Sequence, residues 1–290
     1  MLRAKLTRFA VLVFAVTIGA AMGGCASLVS SAASDFADNL SAAIQNQDDP
    51  DTVKAAIPSY MLMLDSLVES NPTDPDVLSA TATLYASYGA VFADDPVRAK
   101  RLTRRARDYA QRAMCEDYAD ACNWRDQTYD EFVASLANVG ADDAGLLYTY
   151  GFSTLAYLQA HSDDWNALAE LPQAEALFDH YLAIAGEDAV ESSYVYMGIL
   201  LTLRPPALGG RPEEARDYFE KAIELSEGRD LSAKVEFAKG YAKTLYEREL
   251  HDQLLNEVIS ADPYADGLTL SNVMDKEEAM ELLRAADEYF

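Results

Sequence analysis

Between Tyr194 and Gly228 the sequence spells two helices joined by a loop that cannot be helical, and this stretch limits the fold more than any other. In the first arm Val190, Tyr194, Met197, Gly198 and Leu201 recur at i, i+4, i+7, i+8 and i+11, one stripe of a helix. Pro212 suits the first position of the second arm, because its missing N–H would have had no partner there. Glu213 and Glu214 follow where the helix dipole favours anions. Ala215, Tyr218, Phe219, Ala222 and Ile223 form the inward stripe, Asp217 and Lys221 stand four apart as an ion pair, and Gly228 supplies a left-handed stop. The connection Arg204-Pro205-Pro206-Ala207-Leu208-Gly209-Gly210 excludes helix at its prolines and permits unusual dihedrals at its glycines, which predicts a loop projecting from the hairpin.

Gly198 facing Ala215 and Ala222 lets the arms approach closely. Tyr194-x2-Met197-Gly198-x2-Leu201 followed by Ala215-x3-Phe219 is the tetratricopeptide (TPR) pattern with an enlarged connection. Leu147-x2-Tyr150-Gly151-x2-Thr154 and Ala174-x3-Phe178-x2-Tyr181 repeat it, again separated by an insertion, His161 to Leu171. Further helices are expected at Phe36 to Ile44, along a stripe of Tyr60, Leu64, Leu67 and Val68 that Pro58 starts or kinks, and after the Asp74-Pro75 and Asp95-Pro96 pairs. Others are expected at Trp124 to Leu136, Leu231 to Glu249 and Asp275 to Tyr289. No stretch alternates with period two. The expectation is all-α: stacked antiparallel helical hairpins in a TPR-like α-solenoid, because no hairpin covers its own apolar face.

Arg3, Lys5 and Arg8, the apolar run Phe9 to Met22, and Gly23-Gly24 before Cys25 have the order of a secretory signal. The run is short for a bilayer span. The cysteine resembles that of a bacterial lipobox, although Met22 and Gly23 are weak occupants of it, and an uncleaved membrane anchor is the alternative. The expected organisation is a signal over 1–24, a lipid-anchored tether over 25–34 and one helical domain over 35–290. Ala26 in place of Asp favours outer-membrane over inner-membrane anchoring in the periplasm.

The 290 residues carry a net charge of −25, and the first 24 hold three cations and no anion, so the remainder is more acidic still. Such a chain repels phosphate backbones, and nucleic-acid binding is excluded. The arginines between Arg98 and Arg112 are expected to pair with acidic neighbours on adjacent helices, or else to form a docking patch for an acidic partner or an anionic ligand. Cys115 and Cys122 suit a disulfide in an oxidising compartment, or two buried thiols. His161, His180 and His251 lack metal-ligand spacing, no nucleophile or phosphate-loop motif is present, and acidic pairs such as Asp142-Asp143 precede helices as caps. The expectation is no enzyme and no cofactor or metal. Tyr148, Tyr150, Tyr194 and Tyr196, near the starts of equivalent helices, are candidates for lining a solute cavity or an interface, with core packing as the alternative for each. Pro205, Pro206, Gly209 and Gly210 are loop candidates for ligand or partner binding.

Several segments together resemble the TatT component family associated with tripartite ATP-independent periplasmic (TRAP) transporters. They are Ile57-Pro58-x3-Leu62-x-Leu64 with Asn71-Pro72, the run from Arg98-Ala99-x2-Leu102 to Tyr109-Ala110, the Pro205-Pro206-x2-Gly209-Gly210 hairpin, and the end from Asn256 to Phe290. The resemblance implies a lipid-anchored periplasmic homotrimer with cryptic TPR hairpins. It also implies binding to a TRAP-type solute-binding protein and a cavity or pore for an apolar or organic-anion solute. It brings no catalytic residues. Asp275-Lys276-Glu277-Glu278 is more acidic than the resemblance leads one to expect. A general TPR scaffold for envelope or outer-membrane assembly is the rival function. Cys25→Ser is expected to abolish lipidation, and palmitate labelling that persists in the variant would refute the assignment.

Overall fold

The computed structural model describes residues 40–290. The signal, Cys25, the tether and the first part of the helix expected from Phe36 lie outside these residues, while 40–45 are helical. Among the described residues there is no strand, so the all-α expectation holds.

Three helices begin with the same device. Asp49, Asp74 and Asp95 each accept hydrogen bonds from backbone N–H groups of the following turn, and a proline fills each first position. They open α1 (Pro50–Ser70), α2 (Pro75–Ser87) and α3 (Pro96–Asp117). Pro58 therefore does not start α1 but lies inside it, the second of the two expected placements. Starting at Pro50 sets the inward stripe to Val53, Ile57, Met61 and Val68 in place of Tyr60, Leu64 and Leu67, and Leu67 is exposed.

The expected helix Trp124 to Leu136 is two elements. A 3-10 segment, Ala119–Asp126, is followed after an extended Gln127 by α4 (Tyr129–Leu136), which a capping box of Thr128 and Glu131 opens. Then come α5 (Ala144–Ala160), the single turn α6 (Trp165–Leu168) within the insertion, and α7 (Leu171–Ala185). The organising hairpin is α8 (Ser192–Thr202) and α9 (Pro212–Leu225). Val190 precedes α8 and is exposed, so it is not part of the stripe. Asp217 does not pair with Lys221; Lys221 reaches Glu224 and Arg216 reaches Glu220. The helix expected over Leu231 to Glu249 is shorter: α10 (Ser232–Glu236) runs into a π-helical turn, Phe237–Ala242, and the chain reverses at Tyr246 with φ 58°. The last helices are α11 (Arg248–Ser260) and α12 (Thr269–Ala285), the latter starting six residues before the expected Asp275.

Both predicted crossings are present. A Cβ placed on Gly151 would stand 2.6 Å from Leu177 Cδ2 and 2.9 Å from Phe178 Cζ; one on Gly198 would stand 2.5 Å from Phe219 Cε1. Phe178 and Phe219 are fully buried, so neither ring has room to withdraw. The packing path then returns on itself. α2 packs on α5, α5 on α8, α8 on α10, α10 on α12, and α12 on α1, which packs on α2. The seam is fastened by Asn46 Nδ2 donating to Asp266 Oδ1 at 2.9 Å, Gly267 N to Asn46 Oδ1 at 2.7 Å and Tyr264 Oη to Asp48 Oδ2 at 3.2 Å. The inner helices thus close a ring.

Gly198→Ala is expected to cost about 1–3 kcal/mol of stability by overpacking against Phe219, read in urea unfolding. A loss below the error of the measurement would mean that the helices can separate freely.

Candidate functional site

Four ring segments each carry a pair of partly buried residues, three or four apart: Tyr148 and Phe152 on α5, Ser192 and Tyr196 on α8, Glu236 at the end of α10 with Lys239 in the π-helical turn that continues it, and Asp275 and Glu278 on α12. All are half-buried. The first two pairs make an aromatic slot. Tyr196 stacks on Tyr148 at 6.1 Å between centroids and on Phe152 at 5.5 Å, while Phe178 meets its edge from behind at 5.8 Å. Tyr148 Oη and Ser192 Oγ are hydrogen-bonded at 2.8 Å. Burial pushes the pKa of Tyr148 up and that of Tyr196 well up. Neither side chain is fully exposed, and the opposition to charging places both hydroxyls in poorly hydrated surroundings.

The last two pairs form a charged end. Lys239 Nζ lies 2.5 Å from Glu236 Oε1 and 2.9 Å from Glu278 Oε1. Burial works against the ammonium, but the two carboxylates outweigh it and its pKa is raised. Burial likewise raises Glu236. Asp275 has no such cation of its own: Oδ2 is buried without a partner. Burial first, then the charges of Asp230, Glu278 and Glu236, push its carboxyl up to about 8.

Of the four candidate tyrosines the structure brings Tyr148 and Tyr196 together. Tyr150 is in the core against Trp124 at 5.2 Å, and Tyr194 pairs with Tyr218 at 6.4 Å. The loop candidates stand apart from the slot, at the opposite end of α8, about 1.5 Å per residue along the helix. Pro205, Pro206 and Gly209 are exposed, and the root of the loop is stapled: Glu175 accepts from Arg204 at 2.9 Å and Arg211 at 2.8 Å. Gly209 has φ 91°, and a Cβ on Gly210 would fall 1.8 Å from the Arg204 carbonyl oxygen, so no other residue fits there. Cys115, in the last turn of α3, is joined by a disulfide to Cys122 in the 3-10 segment that follows. Sequence reading missed Ser192, Asp230, Glu236, Lys239, Asp275 and Glu278. Their only signal was the recurrence of polar residues three or four apart on the faces of consecutive first-arm helices.

The arginine-rich helix is mostly spoken for. Lys100 meets Asp163 at 2.6 Å, Arg105 meets Asp65 at 3.1 Å, and the buried Arg107 meets Glu170 at 2.7 Å while lying over the Tyr157 ring. Arg98 covers Tyr88, and Arg112 donates to the Pro72 carbonyl. The histidines have structural partners: His161 the Tyr157 carbonyl, His180 the Val139 carbonyl, His251 the Tyr289 hydroxyl.

A family model described as TAtT, TRAP transporter T-component, matches residues 46–290, and the chain belongs to this family. The family is one of transporter accessory components associated with the TRAP system, not of enzymes. Among curated proteins nothing matches the chain.

With a folded pKa of about 8 against an ordinary 3.8, Asp275 keeps its proton in the native state while the unfolded chain loses it. Its contribution is therefore most favourable at low pH and declines as pH rises from about 4 to about 8. Asp275→Asn is expected to flatten that decline and to exceed the wild type at pH 8 by on the order of 1 kcal/mol, measured by urea unfolding at pH 5, 6.5 and 8. Parallel curves for the two proteins would refute the assignment.

Proposed function

We propose that the chain is a lipid-anchored periplasmic accessory protein of a TRAP-type uptake system. It binds the solute-binding subunit and holds a small, largely apolar solute in the crevice inside the helical ring. The observation that carries the reading is the Tyr148, Phe152 and Tyr196 stack, water-accessible yet desolvated, in a chain whose family serves TRAP transporters. Stacked rings offer an apolar body, and the Tyr148 and Ser192 hydroxyls offer hydrogen bonds to a polar group. A lipidated Cys25 would hold the protein at the periplasmic face of the outer membrane, keeping the soluble subunit at raised local concentration. In this setting Cys115 and Cys122 stay oxidised, and the chain assembles as a homotrimer, as the resemblance implies. The exposed Pro205 to Gly210 loop, rigid at its root, is the part offered to the solute-binding subunit.

Tyr196→Leu is expected to weaken retention of a co-purifying small molecule at least tenfold, by mass spectrometry of the purified protein, with capture of the solute-binding subunit unchanged. Shortening Pro205 to Gly210 is expected to do the reverse. Retention and capture that both survive their variants would sink the reading.

A further inference from the structure

Apart from the aromatic slot, the described residues form a second concavity, where α5 and α7 meet α4 and the 3-10 segment before it. A groove of about 420 Å³ is lined by Gln127, Tyr129, Ala169, Glu170, Pro172 and Gln173. Glu170 and Gln173 also line a small inner cavity of about 10 Å³, whose walls include Trp124, Tyr150 and Thr154. The groove has the volume of a small-molecule site, and the cavity has room for one water-sized group. Thr154 is 5% exposed, and its Oγ1 is buried with no hydrogen-bond partner. A buried hydroxyl left unmet costs free energy, and this one stands in the wall of a space that fits a single hydrogen-bonding atom.

We propose that groove and cavity together bind a neutral, hydroxyl-rich small molecule, a sugar or polyol, with one hydroxyl against Thr154 and its body against Tyr129. The size of the cavity selects the head group. A carboxylate, phosphate or amide brings three or more heavy atoms, whereas a hydroxyl brings one and both donates and accepts, as Thr154 does. The charges select a neutral ligand. Glu170 is held by Arg107 at 2.7 Å and Arg125 by Asp108 at 2.8 Å, so both charged side chains of the cavity wall are paired within the protein. An ammonium would only donate, and would meet Arg125 in the wall and Arg107 behind Glu170. Asp126 and Asp130, exposed on the neighbouring turns, set the surroundings against an anion. Hydrogen bonding and stacking are what the groove offers. Gln127 Oε1 accepts from Ser135 Oγ at 3.1 Å, and Gln173 Nε2 donates to the Gln127 carbonyl at 3.1 Å. These bonds fix both amides while leaving Gln173 Oε1 and a second N–H of each to a ligand. Tyr129 is 50% exposed, and its ring gives the C–H face of a sugar an apolar surface with a polar tip beside it. The site shares no residue with the Tyr148, Phe152 and Tyr196 stack or with the Pro205 to Gly210 loop, and stands independently of the function proposed for them.

The chain has two tryptophans, and Trp165 is 72% exposed, so Trp165→Phe leaves Trp124 in the cavity wall as the only indole. The test is titration of the full chain carrying this substitution with glycerol, glucose and maltose, followed by Trp124 fluorescence and by calorimetry. Choline and succinate serve as cationic and anionic comparators. Three further substitutions are added singly: Thr154→Val, which keeps the shape and removes the hydroxyl, Tyr129→Ala on the exposed side, and Tyr196→Leu in the aromatic slot. Circular dichroism confirms retained helix, and Tyr129→Ala decides the outcome if Thr154→Val does not fold. The expected result is saturable binding of at least one of the three neutral compounds, at least tenfold weaker in Thr154→Val and Tyr129→Ala and unchanged in Tyr196→Leu. No saturable response to any of the three overturns the proposal, as does tighter binding of choline or succinate. Binding that survives both Thr154→Val and Tyr129→Ala overturns it too, and so does binding lost in Tyr196→Leu, which would place the ligand in the slot.

Discussion

Two places where a helix backbone comes against an aromatic ring hold this architecture in register. At Gly151 and Gly198 the missing side chain lets α5 and α8 sink onto α7 and α9, with Phe178 and Phe219 occupying the space a methyl group would need. Close packing of this kind fixes distance and rotation together, because dispersion falls off within an ångström of separation. The rotation decides which residues face inward. With Gly198 against Phe219, Tyr196 turns toward Tyr148 and Phe152, and the slot follows from the crossing.

Much of this was legible because it is local. Asp-Pro pairs, the stops at Asn71 and Gly228, and the small-residue crossings each act within a few residues, and each appears where it was expected. The misplaced elements share a cause. α1 carries apolar residues on two faces, so its periodicity fits either stripe, and only packing against α2, the π-helical turn after it and α12 selects Val53, Ile57 and Met61. The π-helical turns at Tyr88–Phe92 and Phe237–Ala242 shift the register by a fraction of a turn without any composition that marks them. The charged end of the crevice could not be found from pattern. Glu236 and Lys239 look like any solvated pair three apart until α12 brings Glu278 and Asp275 against them from some 40 residues away.

The acidity of the chain is distributed unevenly in its consequences. On α3 the cations are consumed by neighbouring carboxylates and rings, so the helix with the densest positive charge contributes internal ties more than a basic surface. At Lys239 the opposite holds: two carboxylates share one ammonium, and the buried Asp275 nearby has its carboxyl pushed up to about 8.

The seam at Asn46 and Asp266 joins residues 220 apart in sequence through three exposed hydrogen bonds and the edge of α12 on α1. Every other junction in the ring is between elements closer along the chain. Hairpins can form and stack one upon the next at small entropic cost, whereas this junction closes the longest loop in the molecule. Of the joins in the ring it is the one whose closure costs the chain most entropy, and three exposed hydrogen bonds hold it. The wall of the ring at this point is therefore made by segments from opposite ends of the described residues.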